Sequence, residues 1–220
     1  MVAAGWHTDK ALQAMEEVML PADMRLRATP PGVQASPWSQ EPVPADLPVA
    51  TRLPDPALDG RSWVVTGDGH RTDVVMSLQF PRVVVFGGLL TPEECQGLMD
   101  LATPRLTRSE TVQNATGGSE VHSARTSDGM FFERGEFDLV RRIEARIAEL
   151  LCWPVENGEG VQILRYRPGA EYRPHYDYFD PRHPGSARIL ARGGQRVGTL
   201  VIYLNTPEGG GATTFPDAGL

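Results

Sequence analysis

The segment Tyr166-Arg-Pro-Gly-Ala-Glu-Tyr-Arg-Pro-His175-Tyr-Asp177-Tyr-Phe holds the residues best suited to chemistry in this chain. If it is extended, side chains two positions apart share a face, so His175 and Asp177 project side by side. A neutral imidazole nitrogen and a carboxylate oxygen can then meet one divalent ion. A third histidine from another strand would complete a facial set of two histidines and one carboxylate, leaving the remaining coordination positions open. By itself His-x-Asp is a short pattern that a structural or solvated pair satisfies equally well. The competing patterns are weaker. Gly209-Gly210-Gly211 is not followed by the Lys-Ser/Thr of a phosphate loop, and Gly67-Asp-Gly-His reads as a turn. Ser123 beside His122 and Ser186 after His183 lack the context of a hydrolase nucleophile.

The elements that must position this segment follow from periodicity. Trp63 to Val65 and Val83 to Phe86 read as strands, the second ended by Gly87-Gly88. Thr91-Pro92-Glu93-Glu94 predicts a helix start, with Thr91 as cap, Pro92 in the first turn and Glu94 closing a capping box. Cys95, Leu98, Met99 and Ala102 then recur at helical spacing. A second helix is predicted over Glu136 to Leu151, with Phe137, Val140, Ile143, Ile147 and Leu151 as its apolar stripe; Cys152 reads as a small buried residue. After Trp153 short strands are predicted over Val161–Arg167, Tyr172–Phe179, Val197–Leu204 and Ala212–Phe215. Helices followed by strands predict an α+β domain in which helices support a sheet or barrel.

The first 76 residues differ in character. Asp9 to Leu20 predicts a short helix with Leu12, Met15 and Met19 on one face. Nine prolines then fall among the 36 residues from Pro21 to Pro56, so that stretch should be extended and irregular. It could wrap the core through Trp38, Leu47, Val49 and Leu53, or serve as a linker.

Composition narrows the function classes. A chain of 220 residues accommodates one domain with an extension, or two small ones, without disulfides or a structural metal. The balance of 28 acidic and 21 basic residues, net −7, argues against a nucleic-acid partner, which requires concentrated positive charge. No stretch approaches the roughly 18 apolar residues of a membrane span. Met1 to Lys10 lacks a secretory pattern. The two cysteines, Cys95 and Cys152, are too few for a disulfide framework, so a cytoplasmic setting is the simplest expectation.

Residues 83 to 216 resemble the prolyl 4-hydroxylase family of 2-oxoglutarate/Fe(II) dioxygenases. The resembling pieces occur in family order. They are the Val-Phe-x-x-Leu-Leu-x-x-Glu-Glu-Cys helix start ending at Cys95, Arg125-Thr126-Ser127-x-Gly129, and Glu159-x-x-Gln162-x-x-x-Tyr166-x-x-Gly169. His175-Tyr-Asp177-Tyr, Gly194-Gln195-Arg196, Tyr203-Leu-Asn and Gly210-Gly211-Ala212-Thr213-x-Phe215-Pro216 complete the series. The resemblance implies a double-stranded β-helix core of the jelly-roll or cupin type. It implies that His175 and Asp177 are metal ligands and that Tyr166 and Thr213 hold the cosubstrate through their hydroxyls. Arg125, Tyr172 and Arg196 then line the substrate side. The implied cofactors are Fe(II) and 2-oxoglutarate, with ascorbate as an optional addition; the implied partners are O2 and a peptide or amino-acid substrate containing proline. On residue type alone, Tyr166 and Tyr172 could equally be strand aromatics, Arg125 a surface arginine, Arg196 an ion-pair partner and Thr213 a β-favouring residue.

The family's third iron ligand, and the lysine or arginine that pairs with 2-oxoglutarate, have no counterpart before Leu220. The expectation is therefore a dioxygenase domain over 77–220 that is incomplete at its C-terminal side, lacking its last strands, and preceded by an extension over 1–76. The remaining histidines are His7, His70, His122 and His183. Either His183, in the Pro/Gly-rich loop after the site, or His122, before the Arg-Thr-Ser segment, could approach the metal or stand as a solvated loop histidine. Two other classes stay open: a non-catalytic cupin-like binding module or pseudo-oxygenase, and, more remotely, a metal-dependent hydrolase.

Overall fold

In a computed structural model the described residues are 2–8, 53–112, 119–120 and 124–218; for 2–8, 112, 119–120 and 192 the backbone alone is described. In chain order the strands are β1 (Val2–Thr8), β2 (Trp63–Val65), β3 (Arg71–Leu78), β4 (Val83–Gly87), β5 (Thr107–Arg108), β6 (Thr111–Val112), β7 (Ser119–Glu120), β8 (Asp128–Phe131), β9 (Gln162–Arg165) and β10 (Gln195–Ile202). The α-helices are α1 (Pro92–Ala102), α2 (Asp138–Leu150) and α3 (Ser186–Gly193).

The first helix starts where its residue types demand. The Thr91 hydroxyl accepts from the Glu94 N–H at 3.2 Å, while the Glu94 carboxylate accepts from the Thr91 N–H at 3.0 Å. Two N–H groups that the helix itself leaves unpaired are thereby satisfied. Thr91→Ala removes half of this exchange and should cost about 1 kcal/mol, read as a lower urea midpoint at unchanged slope. Helix α2 turns Val140, Ile143, Ile147 and Leu150 inward, each no more than 2% exposed. The predicted stripe is right at its centre. Phe137 and Leu151 instead flank the helix as caps.

Both helices back onto one antiparallel sheet of order β10-β1-β9-β8-β5. Leu98 and Ala102 of α1 and the α2 stripe share a core cluster with Met130, Ile163, Val197 and Ile202 from this sheet and with Phe132 and Val161, which flank β8 and β9. A second sheet, β2-β3-β4, is also antiparallel, with the Gly67-Asp-Gly-His segment at its first turn as predicted. Because β4 pairs with β3, this sheet runs across the border between residues 76 and 77. β1, from the far N-terminal end, is hydrogen-bonded between β9 and β10. The predicted helix over 9–20 and the proline-rich residues up to 52 lie outside the described residues. No helix among the described residues is long and apolar enough to cross a membrane.

One guanidinium ties these layers together. All five Arg146 N–H donors are used: two reach Glu94, two reach Asp68 and one reaches the Leu89 carbonyl, at 2.6 to 3.0 Å. Asp68 lies in the β2–β3 turn, Leu89 leads into α1, and Glu94 is the capping-box residue. One α2 side chain, itself 4% exposed, thus joins both sheets' supporting elements.

Three local expectations are corrected. Tyr172–Phe179 is not a strand: apart from a single bridge between Arg125 and Tyr172 it is irregular. Pro174 has no N–H to extend a ladder, and the Arg173 N–H is already bonded to the Ala124 carbonyl. Ala212–Phe215 is likewise irregular and exposed, following two glycines, Gly210 and Gly211, at positive φ. The Pro/Gly-rich loop after the site contains α3, whose Ala, Leu and Arg residues favour helix. Gly194, at φ 75°, lies just past the last turn and donates to the Leu190 carbonyl.

Candidate metal centre

His175 and Asp177 face each other although no strand holds them. Nε2 of His175 lies 3.2 Å from Oδ1 of Asp177. On the other side of the ring, Nδ1 lies 2.8 Å from the Arg173 carbonyl oxygen. A carbonyl only accepts, so Nδ1 carries the proton in the neutral ring and Nε2 presents a bare lone pair. Two acceptors at 3.2 Å repel unless a cation lies between them. A proton is the smallest such cation, and the hydrogen bond to Asp177 accordingly raises the His175 pKa. Asp177 is pulled the other way: burial would raise its pKa, but hydrogen bonds from His175 and Thr199 bring it down to about 2.

The surrounding elements hold this pair in place. The Thr199 hydroxyl, on β10, donates to Oδ2 of Asp177 at 2.6 Å. Arg196, on the same strand, donates to the Asp177 carbonyl at 3.3 Å while its other nitrogens grip Glu159 at 2.7 and 2.9 Å. Its guanidinium lies 4.6 Å from the Phe179 ring centre. The Tyr172 ring stacks on His175 with centroids 3.7 Å apart and planes 23° apart. Arg125 in turn lies 4.9 Å from the centre of the Tyr172 ring. Buried beneath it, Arg125 donates to Gln162 at 3.1 Å, to the Glu110 carbonyl at 3.3 Å and to Ser127 at 3.3 Å. A continuous stack Arg125–Tyr172–His175 therefore leads from the sheet to the imidazole.

Of the residues singled out in the sequence, Arg125, Tyr172, His175, Asp177 and Arg196 are thus brought into one connected cluster. Tyr166, one residue past β9, is half-buried; burial raises the pKa of the Tyr172 hydroxyl, Arg125 opposes the rise, and Asp177 and Tyr166 add to it. Thr213 lines the same open concavity, but its hydroxyl is paired with Tyr203 at 2.7 Å. His183 sits in the turn before α3 and His122 lies outside the described residues. Among the described residues no third His, Cys, Asp or Glu joins the pair in a metal-binding group. The donor set fits a divalent ion as far as it goes: one bare imidazole nitrogen and one carboxylate oxygen, mutually oriented. Thr199 was missed in the sequence, where it sits inside the nearly continuous apolar run of β10 and nothing in its neighbours marks it.

Comparison with known proteins gives a consistent result. A family model described as the 2OG-Fe(II) oxygenase superfamily matches residues 161–219. Prolyl 4-hydroxylase 5 of Arabidopsis thaliana is 44% identical over 152 residues, 69% of this chain and 50% of that protein. Probable prolyl 4-hydroxylase 3 of the same plant is 37% identical over 182 residues, 83% of this chain and 60% of that protein. Prolyl 4-hydroxylase 1, also from Arabidopsis thaliana, is 44% identical over 141 residues, 63% of this chain and 48% of that protein. The chain spans about half the length of the curated relatives it matches.

Proposed function

Since this chain belongs to the prolyl 4-hydroxylase family of 2-oxoglutarate/Fe(II) dioxygenases, we propose that it hydroxylates a prolyl residue or a related amino-acid substrate. The observation that carries the reading is Nε2 of His175 facing Oδ1 of Asp177 at 3.2 Å with Nδ1 turned to the Arg173 carbonyl, a spacing at which both atoms can ligate one cation. His175 and Asp177 would hold Fe(II), and the hydroxyls of Tyr166 and Thr213 would meet the 2-oxoglutarate. When bound, the iron and 2-oxoglutarate supply the oxidising chemistry: prolyl substrate, O2 and 2-oxoglutarate become hydroxyprolyl product, succinate and CO2.

The protein's own part is to orient and to exclude water. The Tyr172 ring covers one face of the imidazole, and Arg125 pins that ring from behind. Arg196 fixes the backbone of Asp177 through its carbonyl, and Glu159 restrains Arg196. Arg125, Tyr172 and Arg196 border the open concavity from which a peptide would approach. In this reading the antiparallel sheets belong to a double-stranded β-helix, with residues 77–220 as the catalytic unit and 1–76 as an extension that lends strands to its sheets.

The test is succinate release from 2-oxoglutarate in the presence of Fe(II) and proline-containing peptides. Turnover dependent on all three is expected; absence of both turnover and iron uptake overturns the reading. The alternative, a non-catalytic binding module or pseudo-oxygenase, is favoured by the fact that only two donors converge among the described residues. Iron uptake without succinate release would select it.

A further inference from the structure

The geometry points to Thr199 as a positioning residue that keeps the Asp177 carboxylate oriented as a one-oxygen ligand. This inference rests on the reading that His175 and Asp177 hold the metal. A carboxylate is symmetric and its terminal torsion is soft, so nothing intrinsic to Asp177 decides which oxygen faces the imidazole. Two contacts from β10 remove that freedom. Arg196 holds the carbonyl of Asp177 at 3.3 Å, and the Thr199 hydroxyl occupies Oδ2 at 2.6 Å. With Oδ2 engaged, Oδ1 alone is turned toward Nε2 of His175, 3.2 Å away.

The strand is built to deliver both contacts. In a regular strand residues three apart point to opposite faces. The pairing of β1 with β10 skips Val197: Trp6 opposes Gly198 and His7 opposes Arg196. This extra residue restores phase, so Arg196 and Thr199 reach the same aspartate. Thr199 itself pairs with Gly5 in the ladder, and its β-branched side chain is stiff about χ1. The hydroxyl is therefore held by the sheet rather than by the loop that carries Asp177. Without it both carboxylate oxygens could chelate one ion, taking a coordination position that cosubstrate and O2 require.

The experiment measures Mn(II) affinity of the full chain by titration calorimetry, with the Mn(II) electron paramagnetic resonance spectrum as a second readout. Thr199→Val, which preserves shape and removes the donor, should weaken Mn(II) binding by roughly 10- to 100-fold and alter the spectrum. Thr199→Ser, which retains a hydroxyl, should stay within about 3-fold of the original affinity. Circular dichroism melting checks that each variant folds. Equal affinity for Thr199→Val and the unaltered chain overturns the inference, as does equal weakening by the valine and serine variants. Asp177→Asn, measured alongside, separates the two levels. If it loses Mn(II) while Thr199→Val does not, the metal site stands and Thr199 has no such role. If Asp177→Asn binds Mn(II) normally, or the unaltered chain binds none, the metal-site reading falls and this inference with it.

Discussion

Asp177→Asn should abolish Fe(II) binding and all turnover while leaving the protein folded. The asparagine oxygen still accepts from Thr199, and its amide nitrogen donates to the bare Nε2 of His175 in place of a cation. The local hydrogen bonds survive and only the negative charge is lost, so the melting temperature should change by no more than a few degrees. His175→Ala should lose the metal as completely, and it also strips the Tyr172 ring of its stacking partner. The check is equilibrium dialysis with Fe(II) under anaerobic conditions, paired with the succinate assay. Iron retained by Asp177→Asn at the original affinity would show that the carboxylate is no ligand.

Arg146→Met carries the largest expected effect on stability, about 3–5 kcal/mol. The guanidinium is 4% exposed and Glu94 is 10% exposed, so removing the arginine leaves a buried carboxylate with only the Arg142 side chain at 3.3 Å and the Thr91 N–H to hold it. Urea unfolding should show a midpoint lowered accordingly, with melting down by roughly 10 °C or more. The same pairing sets the acid limit of the fold. For Asp68, burial would raise the pKa, but hydrogen bonds from Thr66 and Arg146 hold it well below the ordinary carboxylate range. For Glu94, burial again acts upward and is outweighed by hydrogen bonds from Arg146 and the Thr91 backbone. Both folded-state values are depressed. Their contribution is therefore present above the unfolded carboxylate range near pH 4 and disappears as the pH falls through the folded values. The original chain should lose stability steadily on acidification below about pH 5, and Arg146→Met should show a flatter acid limb over the same window. A variant as stable as the original at neutral pH, with an unchanged acid limb, would remove the network from any role in holding the layers together.

Much of the candidate site's geometry and part of the fold could be read along the chain because the interactions that encode them are local. Thr91 and Glu94 are three residues apart and can only meet by starting a helix. Val140, Ile143 and Ile147 recur at the helical period and line one face of α2. His175 and Asp177 are two apart and meet even though Pro174 prevents the strand that was expected to bring them together. The order of motifs along residues 83 to 216 pointed to the family, and the comparisons agree.

What spacing could not supply lies between residues distant in sequence. Thr199 reaches Asp177 across 22 positions, and Arg146 reaches Glu94 and Asp68 across 52 and 78. In the sequence these look like an apolar-run threonine and a helix-surface arginine, since nothing in their neighbours distinguishes them. Nor could composition reveal that β1 enters the sheet between β9 and β10, or that α3 forms within a loop rich in proline and glycine. Local pattern determines which elements can form and which side chains share a face. The partner of a buried charge or of a carboxylate oxygen is settled only when the sheets and helices close over one another. Burial then penalises every polar group left without a mate, and that selects one arrangement among many compatible with the same pattern.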